Sequence, residues 1–235
     1  MRTKPTALVC AAVLAAGTIT AAAIAAPIPV AVYTFATQGD IDAFSKGAGA
    51  KCKKKLAKGQ MAISVGKGTN HCTFRSSVVG DAGDTAPDTE VGATVTLGKK
   101  APRKIQKKAF VAVGTRVSDS AGWELRIRPV AKTWQLLRDP AGSGGATVVR
   151  AGKGKFIRPI GKPNLILLRT FDFSSPTTQL TVGINGKTVA SLTDAAADQP
   201  DGKRSVVVAG SKGRAAGTGI TGIFDDVAIR VPNPF

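Results

Sequence analysis

Past residue 26, the apolar positions along the chain recur at every second residue. In "EVGATVTL", Val91, Ala93, Val95 and Leu97 share one face of an extended segment. In "WELRIRP", Trp123, Leu125 and Ile127 fall on one face and Glu124, Arg126 and Arg128 on the other. "AFVAVGTRV", "TWQLLRD", "LILLRTF", "QLTVGI", "KTVASL" and "SVVVAG" read similarly. Side chains of a strand point alternately to its two faces, so this period predicts half-buried strands. Helical periodicity is nearly absent. About a dozen short strands, separated by Gly, Pro and Asp, predict an all-β sandwich or barrel.

Turn chemistry agrees. Asn185-Gly186 stands between two alternating runs in "TVGINGKTVASL". Both residues tolerate the positive φ of a type I′ turn, so a hairpin is predicted there. Pro129, Pro140, Pro159, Pro163 and Pro176 fall at strand ends or turns, where a missing N–H is harmless. "GIFDDVAIRV" departs from strict alternation. Val227, Ile229 and Val231 are expected to face the core, but Phe224 lies three positions before Val227. One strand buries both only with an extra residue, which predicts a bulge at Asp225-Asp226. One aspartate then accepts backbone N–H bonds and the other faces solvent.

Residues 1–25 read as a signal peptide: Arg2 and Lys4, an apolar run, then Ala23-Ile24-Ala25 as the cleavage site. A retained membrane anchor is the alternative; Thr18, Thr20 and many small residues interrupt the run. Cys10 lacks the leucine expected three residues before a lipoprotein cysteine. Residues 26–235 are then a single domain, long enough to bury a core. No later segment approaches the roughly 20 apolar residues of a membrane span. Cys52 and Cys72 remain, and an even count in an exported chain reads as one disulfide.

The formal charge is +18 with a pI near 10.3. The cations cluster in "KCKKKLAK", "KKAPRKIQKK", "KGKFIRPIGK", "GKR" and "SKGR". Such a field attracts anionic polymers in a salt-dependent way. Acidic polysaccharide, membrane headgroups and nucleic acid all qualify by charge, as does a merely lysine-rich soluble surface.

The order "WELRIRP…TWQLLRD", "NLILLRTF", "QLTVGINGKTVASLTD", "SVVVAG…GIFDDVAIRV" resembles the concanavalin A-like, laminin-G-like jelly rolls of secreted bacterial proteins. Those show a "W-x-L-x-R" strand pair, an "N-x-L" strand, a "V-N-G-x-x-V" hairpin and a final "F-D-D-V-x-V" strand. Ile184 replaces the valine before Asn185-Gly186 here. The resemblance covers about residues 90–231, and "CTFRSSVV" fits an early strand. It implies two antiparallel sheets of about six or seven strands packed face to face, one usually concave. Sugar-binding lectins, glycoside hydrolases and protein-binding modules all use this fold, so fold leaves function open.

Catalysis finds little support. The hydrolase branch carries its carboxylates as E-x-D-x-x-E, and neither Glu90 nor Glu124 sits in such a pattern. His71 beside a disulfide cysteine lacks evident triad partners. Zinc lacks ligands. Calcium has candidates in "GDAGDTAPDTE", namely Asp81, Asp84 and Asp88 with Glu90, but a solvated acidic loop is the preferred reading because the complete calcium-loop pattern is absent. No cofactor is required. With aromatics at 5%, Trp123 and Trp134 are assigned to the core as neighbours in phase with Leu125 and Leu136. The polar residues taken to face away from the core are Glu124, Arg126, Arg128, Gln135, Arg138 and Arg169, and they form the candidate ligand stripe. Nucleic acid is disfavoured by the lack of aromatic interleaving and of a reader helix. The expectation is a secreted or envelope-associated monomer, without catalysis, that binds carbohydrate or another anionic polymer. Its rival is a structural or protein-interaction sandwich with no small ligand.

Overall fold

A computed structural model describes residues 28–79, 88–118, 121–139, 145–174, 177–196, 199–200, 202–212 and 219–231. The leader read from residues 1–25, and Asp81 and Asp84, lie outside the described residues. Two antiparallel sheets face each other. The eight-stranded sheet runs β13 (Lys187–Asp194), β12 (Thr177–Ile184), β11 (Asn164–Ser174), β6 (Thr89–Leu97), β15 (Ile220–Val231), β4 (Met61–Val65) and β3 (Cys52–Leu56), with β1 (Ile28–Tyr33) also on β15. The seven-stranded sheet runs β10 (Thr147–Lys153), β9 (Thr133–Asp139), β8 (Gly122–Arg128), β7 (Ala109–Val117), β14 (Arg204–Ser211), β5 (His71–Val79) and β2 (Phe44–Lys46). The first sheet thus exceeds the six or seven strands expected. The described helices are short: α1 (Gln38–Asp42) and α2 (Arg103–Gln106).

The inner faces are those the alternation assigns. Val91, Ala93, Val95 and Leu97 of β6 oppose Trp123, Leu125 and Ile127 of β8 within one continuous cluster. Trp123 is fully buried and Trp134 is 4% exposed. Each fully buried Leu, Ile, Val or Phe stabilises by about 1.5–3 kcal/mol relative to exposure.

β15 resolves the two aspartates. Its first half, Ile220–Phe224, pairs with β4, and its second half, from Val227, pairs with β1. On its other side the register with β6 slips between Asp225 and Ala228, which is the extra residue. Phe224 and Val227 are consequently both buried. Asp225 accepts the Asp226 N–H at 3.0 Å and the Gln60 amide at 3.0 Å. Asp226 sits at φ +48° and is exposed. The bulge falls where one neighbouring strand ends and another begins. Val231, at the strand end, is half-buried rather than core.

The sheets are also tied covalently and electrostatically. Cys52 of edge strand β3 is bonded to fully buried Cys72 of β5 in the other sheet. Closing a loop of this length contributes about 3 kcal/mol in the chain-entropy account. At the opposite edge, Arg138 of β9 donates to Asp194 of β13 at 3.2 Å. Between them, buried Arg116 of β7 reaches Asp172 of β11 at 2.8 Å and Asp88 at 3.4 Å.

Candidate functional site

The outer face of the seven-stranded sheet carries an apolar cluster of its own: Phe110 and Ala112 of β7 with Val206 and Val208 of β14. These positions alternate with core residues, so they point away from the sandwich interior, yet each is at most 3% exposed. Arg126 on the adjacent strand β8 covers part of this cluster. Its guanidinium carbon lies 3.9 Å from the Phe110 ring centroid, a cation–π contact. Its Nε donates to Glu124 at 2.7 Å, two residues back on the same strand face. Stacked on one side and bonded along its edge, the guanidinium is held in a fixed plane. Its two Nη nitrogens meet no protein acceptor among the described residues, so their donors remain for a ligand.

A pocket of about 340 Å³ opens over Val206 and Val208. That lies within the size range of small-molecule sites. Glu124, Arg126 and Asp139 form one wall; His71, Thr73 and Arg75 of β5 form the other. Strand register explains the grouping. Gly114 of β7 pairs with Glu124 on one side and with Val206 on the other. A Cβ on Gly114 would lie 2.7 Å from Val206 Cγ2 and 2.7 Å from the Trp123 carbonyl oxygen, so glycine keeps this floor low. Arg75 is anchored at the end of the pocket by donation to the Ser118 carbonyl at 3.2 Å. Burial, and then the neighbouring Glu124 charge, push the Asp139 carboxyl above the usual aspartate value. No cation pairs with Asp139 among the described residues.

Four of the six residues read from the sequence share this face. Glu124 and Arg126 are in the pocket wall. Arg128 and Gln135 lie further along, joined by a 2.9 Å hydrogen bond. Burial, and then the charge of Arg126, hold the Arg128 pKa below its usual value. The other two lie elsewhere. Arg138 is in phase with Trp134 and Leu136, so it points between the sheets to Asp194. Arg169 is on β11 of the other sheet, where it grips Glu90 at 2.8 and 2.5 Å while Arg230 holds the second oxygen at 2.9 Å. Asp139, His71, Arg75 and the valine floor escape a reading of single strands, because β5, β9 and β14 meet only through sheet order. Asp139 alone had a local signal: it shares a phase with Gln135 and Leu137.

Of the calcium candidates, Asp81 and Asp84 lie outside the described residues, and Asp88 and Glu90 are engaged by cations. Asp88 accepts the Asp172 N–H at 2.7 Å and faces Arg116, and Glu90 lies between two guanidiniums. Among the described residues, no group of three or more His, Cys, Asp or Glu is placed to hold a metal ion. No helix of the described residues is long and apolar enough to cross a membrane.

No protein-family profile matches the chain, and no curated protein matches it significantly. Solved structures share its fold. A carbohydrate-binding module, CBM66, from Bacillus subtilis superposes with TM-score 0.56 at 11% identity, over 80% of this chain and 95% of that one. A Bacillus subtilis protein of unknown function with a galectin-like fold gives 0.60 at 12% identity, over 86% and 96%. The carbohydrate recognition domain of Emp46p, in its metal-free form, gives 0.59 at 9% identity, over 84% and 93%. At these identities the likeness establishes the architecture: an all-β, two-sheet jelly-roll sandwich of the galectin-like kind.

Proposed function

We propose that the protein is a non-catalytic carbohydrate-binding module of the concanavalin A-like superfamily. Its chain is exported and cut after Ala25, residues 26–235 form one domain, and it acts outside the cell or at the envelope on an acidic polysaccharide. The pocket over Val206 and Val208 carries this reading. The apolar part of the lining, Ala48, Leu137 and Ala146 around the nearly covered Val206 and Val208, suits the C–H face of a sugar ring. Around it stand a fixed guanidinium with unspent donors and two carboxylates able to accept hydroxyl protons. Concave sites with an apolar base and a few convergent polar groups are the common form of small-ligand sites. The superposed carbohydrate-binding module and carbohydrate recognition domain support the same class. The charge of +18 supports an anionic partner.

A glycan array at low and at high salt tests the proposal. Binding that persists in high salt and falls with Glu124→Gln or Arg126→Lys marks a defined sugar site. Binding lost in salt for every glycan marks charge alone, and no binding favours the rival protein-interaction module. One observation speaks for that rival: Val30 and Val32 of β1 are 42% and 54% exposed. The pairing of Glu124 with a raised Asp139 is the feature a hydrolase would share. Release of reducing ends that disappears in Asp139→Asn would replace the binding reading with an enzymatic one.

A further inference from the structure

The pocket and the net charge make opposite demands. In the pocket, Glu124 and Asp139 offset the charges of Arg126 and Arg75, so the acidic groups of a bound chain are better met by cations elsewhere on the same face. The structure offers one. From Leu125 to Pro163 the sequence holds five arginines, four lysines and one carboxylate, Asp139. Register lines up part of this excess. Arg128 pairs with Thr133, and Thr133 pairs with Lys153 of edge strand β10, so the three form a row across three strands. Beside that row, Lys132, Lys153 and Lys155 border a second pocket of about 460 Å³. Lys153 and Lys155 are exposed, whereas Lys132 is steadied by donation to the Ile157 carbonyl. Among the described residues, no carboxylate pairs with Arg128, Lys132, Lys153 or Lys155. The four strand positions from Glu124 to Arg128 span about 13 Å. Arg126 sits between, so cations continue from the pocket wall to the sheet edge. The lowered pKa of Arg128, owed in part to Arg126, fits a row of like charges without counter-ions.

We infer that the outer face of the seven-stranded sheet holds an extended glycan of mixed character. A neutral, hydroxyl-rich unit fills the pocket beside Glu124 and Asp139. Carboxylate or sulfate groups on later units, about 13 Å along, lie on Arg128, Lys132, Lys153 and Lys155. The inference rests on the carbohydrate-binding reading and assigns direction and charge pattern to the ligand.

The test compares two charge reversals of equal size. Lys153→Glu/Lys155→Glu alters the proposed track. Lys53→Glu/Lys55→Glu alters exposed lysines of β3, in the other sheet. Each variant, the full chain and Glu124→Gln are titrated with hyaluronate, keratan sulfate and single-stranded DNA across salt, with folding checked by circular dichroism. At about 0.15 M salt the track reversal is expected to weaken binding of the acidic glycan about tenfold and to flatten its salt dependence, while the β3 reversal shifts it far less. Hyaluronate carries only carboxylates and keratan sulfate only sulfates, and both include neutral sugar units, so the two separate carboxylate from sulfate as the group recognised. Equal losses in the two reversals overturn the track in favour of net charge. Loss with Glu124→Gln but not with the track reversal also overturns it, and leaves the pocket reading standing. Loss with the track reversal but not with Glu124→Gln overturns the mixed ligand and counts against the pocket. Wild-type binding of DNA equal to that of both glycans, or binding of none of the three, overturns the inference.

Discussion

Asn185 shows how one residue carries a signature and a structural duty together. At φ +51°, followed by Gly186 at +77°, it makes the hairpin turn that a two-residue connection requires. Its amide also donates to the Phe156 carbonyl at 2.7 Å and to buried Asn164 at 2.8 Å, and it accepts the Leu165 N–H at 2.9 Å. The "NLIL" and "INGK" stretches of the sequence are thus one amide network. Asn185→Gly keeps the dihedral and loses the hydrogen bonds, a cost of about 1–3 kcal/mol. Asn185→Ala adds left-handed strain of about 1–2 kcal/mol, so denaturant unfolding is expected to rank wild type above Gly above Ala. Asp139 yields a pH prediction. Its folded pKa is raised, so its contribution to stability is fully present below the ordinary value of 3.8 and is lost as pH rises through the folded value. Asp139→Asn is therefore expected to gain on wild type at pH 7, and this advantage closes towards pH 3.8. Urea titrations at several pH values check it; a pH-independent difference would count against the buried-carboxyl account. Asp139 was readable by phase, whereas Arg138, chosen for its charge, shares its phase with Trp134 and Leu136. Strand parity outranks residue type here.

Among the elements, most strands that pack on the core announced themselves, although β7 and β14 are apolar on both faces. β6, β7, β8, β9, β11, β12, β13 and β14 all correspond to alternating runs in the sequence. β10 did not, since "TVVRAGK" is an edge strand exposed along most of its length and has little apolar face to display. β3 hid within a lysine run. Lys53 and Lys55 face solvent, while Lys54 turns inward, donates to the Ile41 and Phe44 carbonyls, and has its pKa lowered by burial. The bulge in β15 was legible because one insertion reconciles Phe224 with Val227. What the sequence withheld was its purpose, the exchange of β4 for β1 as neighbour. Deleting Asp226 would remove the extra residue and place Val227 two positions after Phe224, opposite Ala93, so that Phe224, Val227 and Ile229 share the inner face of a regular strand. The expected cost is then small, that of the lost hydrogen bond from the Asp226 N–H to Asp225, about 0.5–1.5 kcal/mol. Asp226→Gly retains the insertion and relieves the positive φ, so it is expected to be neutral or stabilising by up to about 1 kcal/mol. Melting temperatures of the two variants check this, and a loss of several kcal/mol on deletion alone would mean that the change of neighbour from β4 to β1 needs the extra residue.

For the whole molecule, the arrangement of ties decides which region responds to which perturbation. The Arg138–Asp194 pair secures one edge of the sandwich and the Cys52–Cys72 bond the other. One wall of the pocket lies on the disulfide side, because His71 directly precedes Cys72 on β5 and Ala48 comes from the loop folded against that bond. Gly49 in this loop has φ +105°, and a Cβ there would meet Cys52 Sγ at 2.3 Å, so loop and disulfide are packed as one unit. The lysine row is on β10, at the far edge of the same sheet. Stability and binding therefore divide. Replacing both cysteines with alanine is expected to lower stability by about 3 kcal/mol. It also loosens the wall bearing Ala48 and His71, so binding of a neutral sugar in the pocket weakens. The salt-dependent attraction of the lysine row for a polyanion stays as it was, since no residue of that row touches the bond. Calorimetry with a neutral array hit and with polygalacturonate, on wild type and the double variant at a temperature where both are folded, measures the two effects separately. Equal weakening of both ligands would mean that the disulfide supports the sheet as a whole rather than its pocket edge.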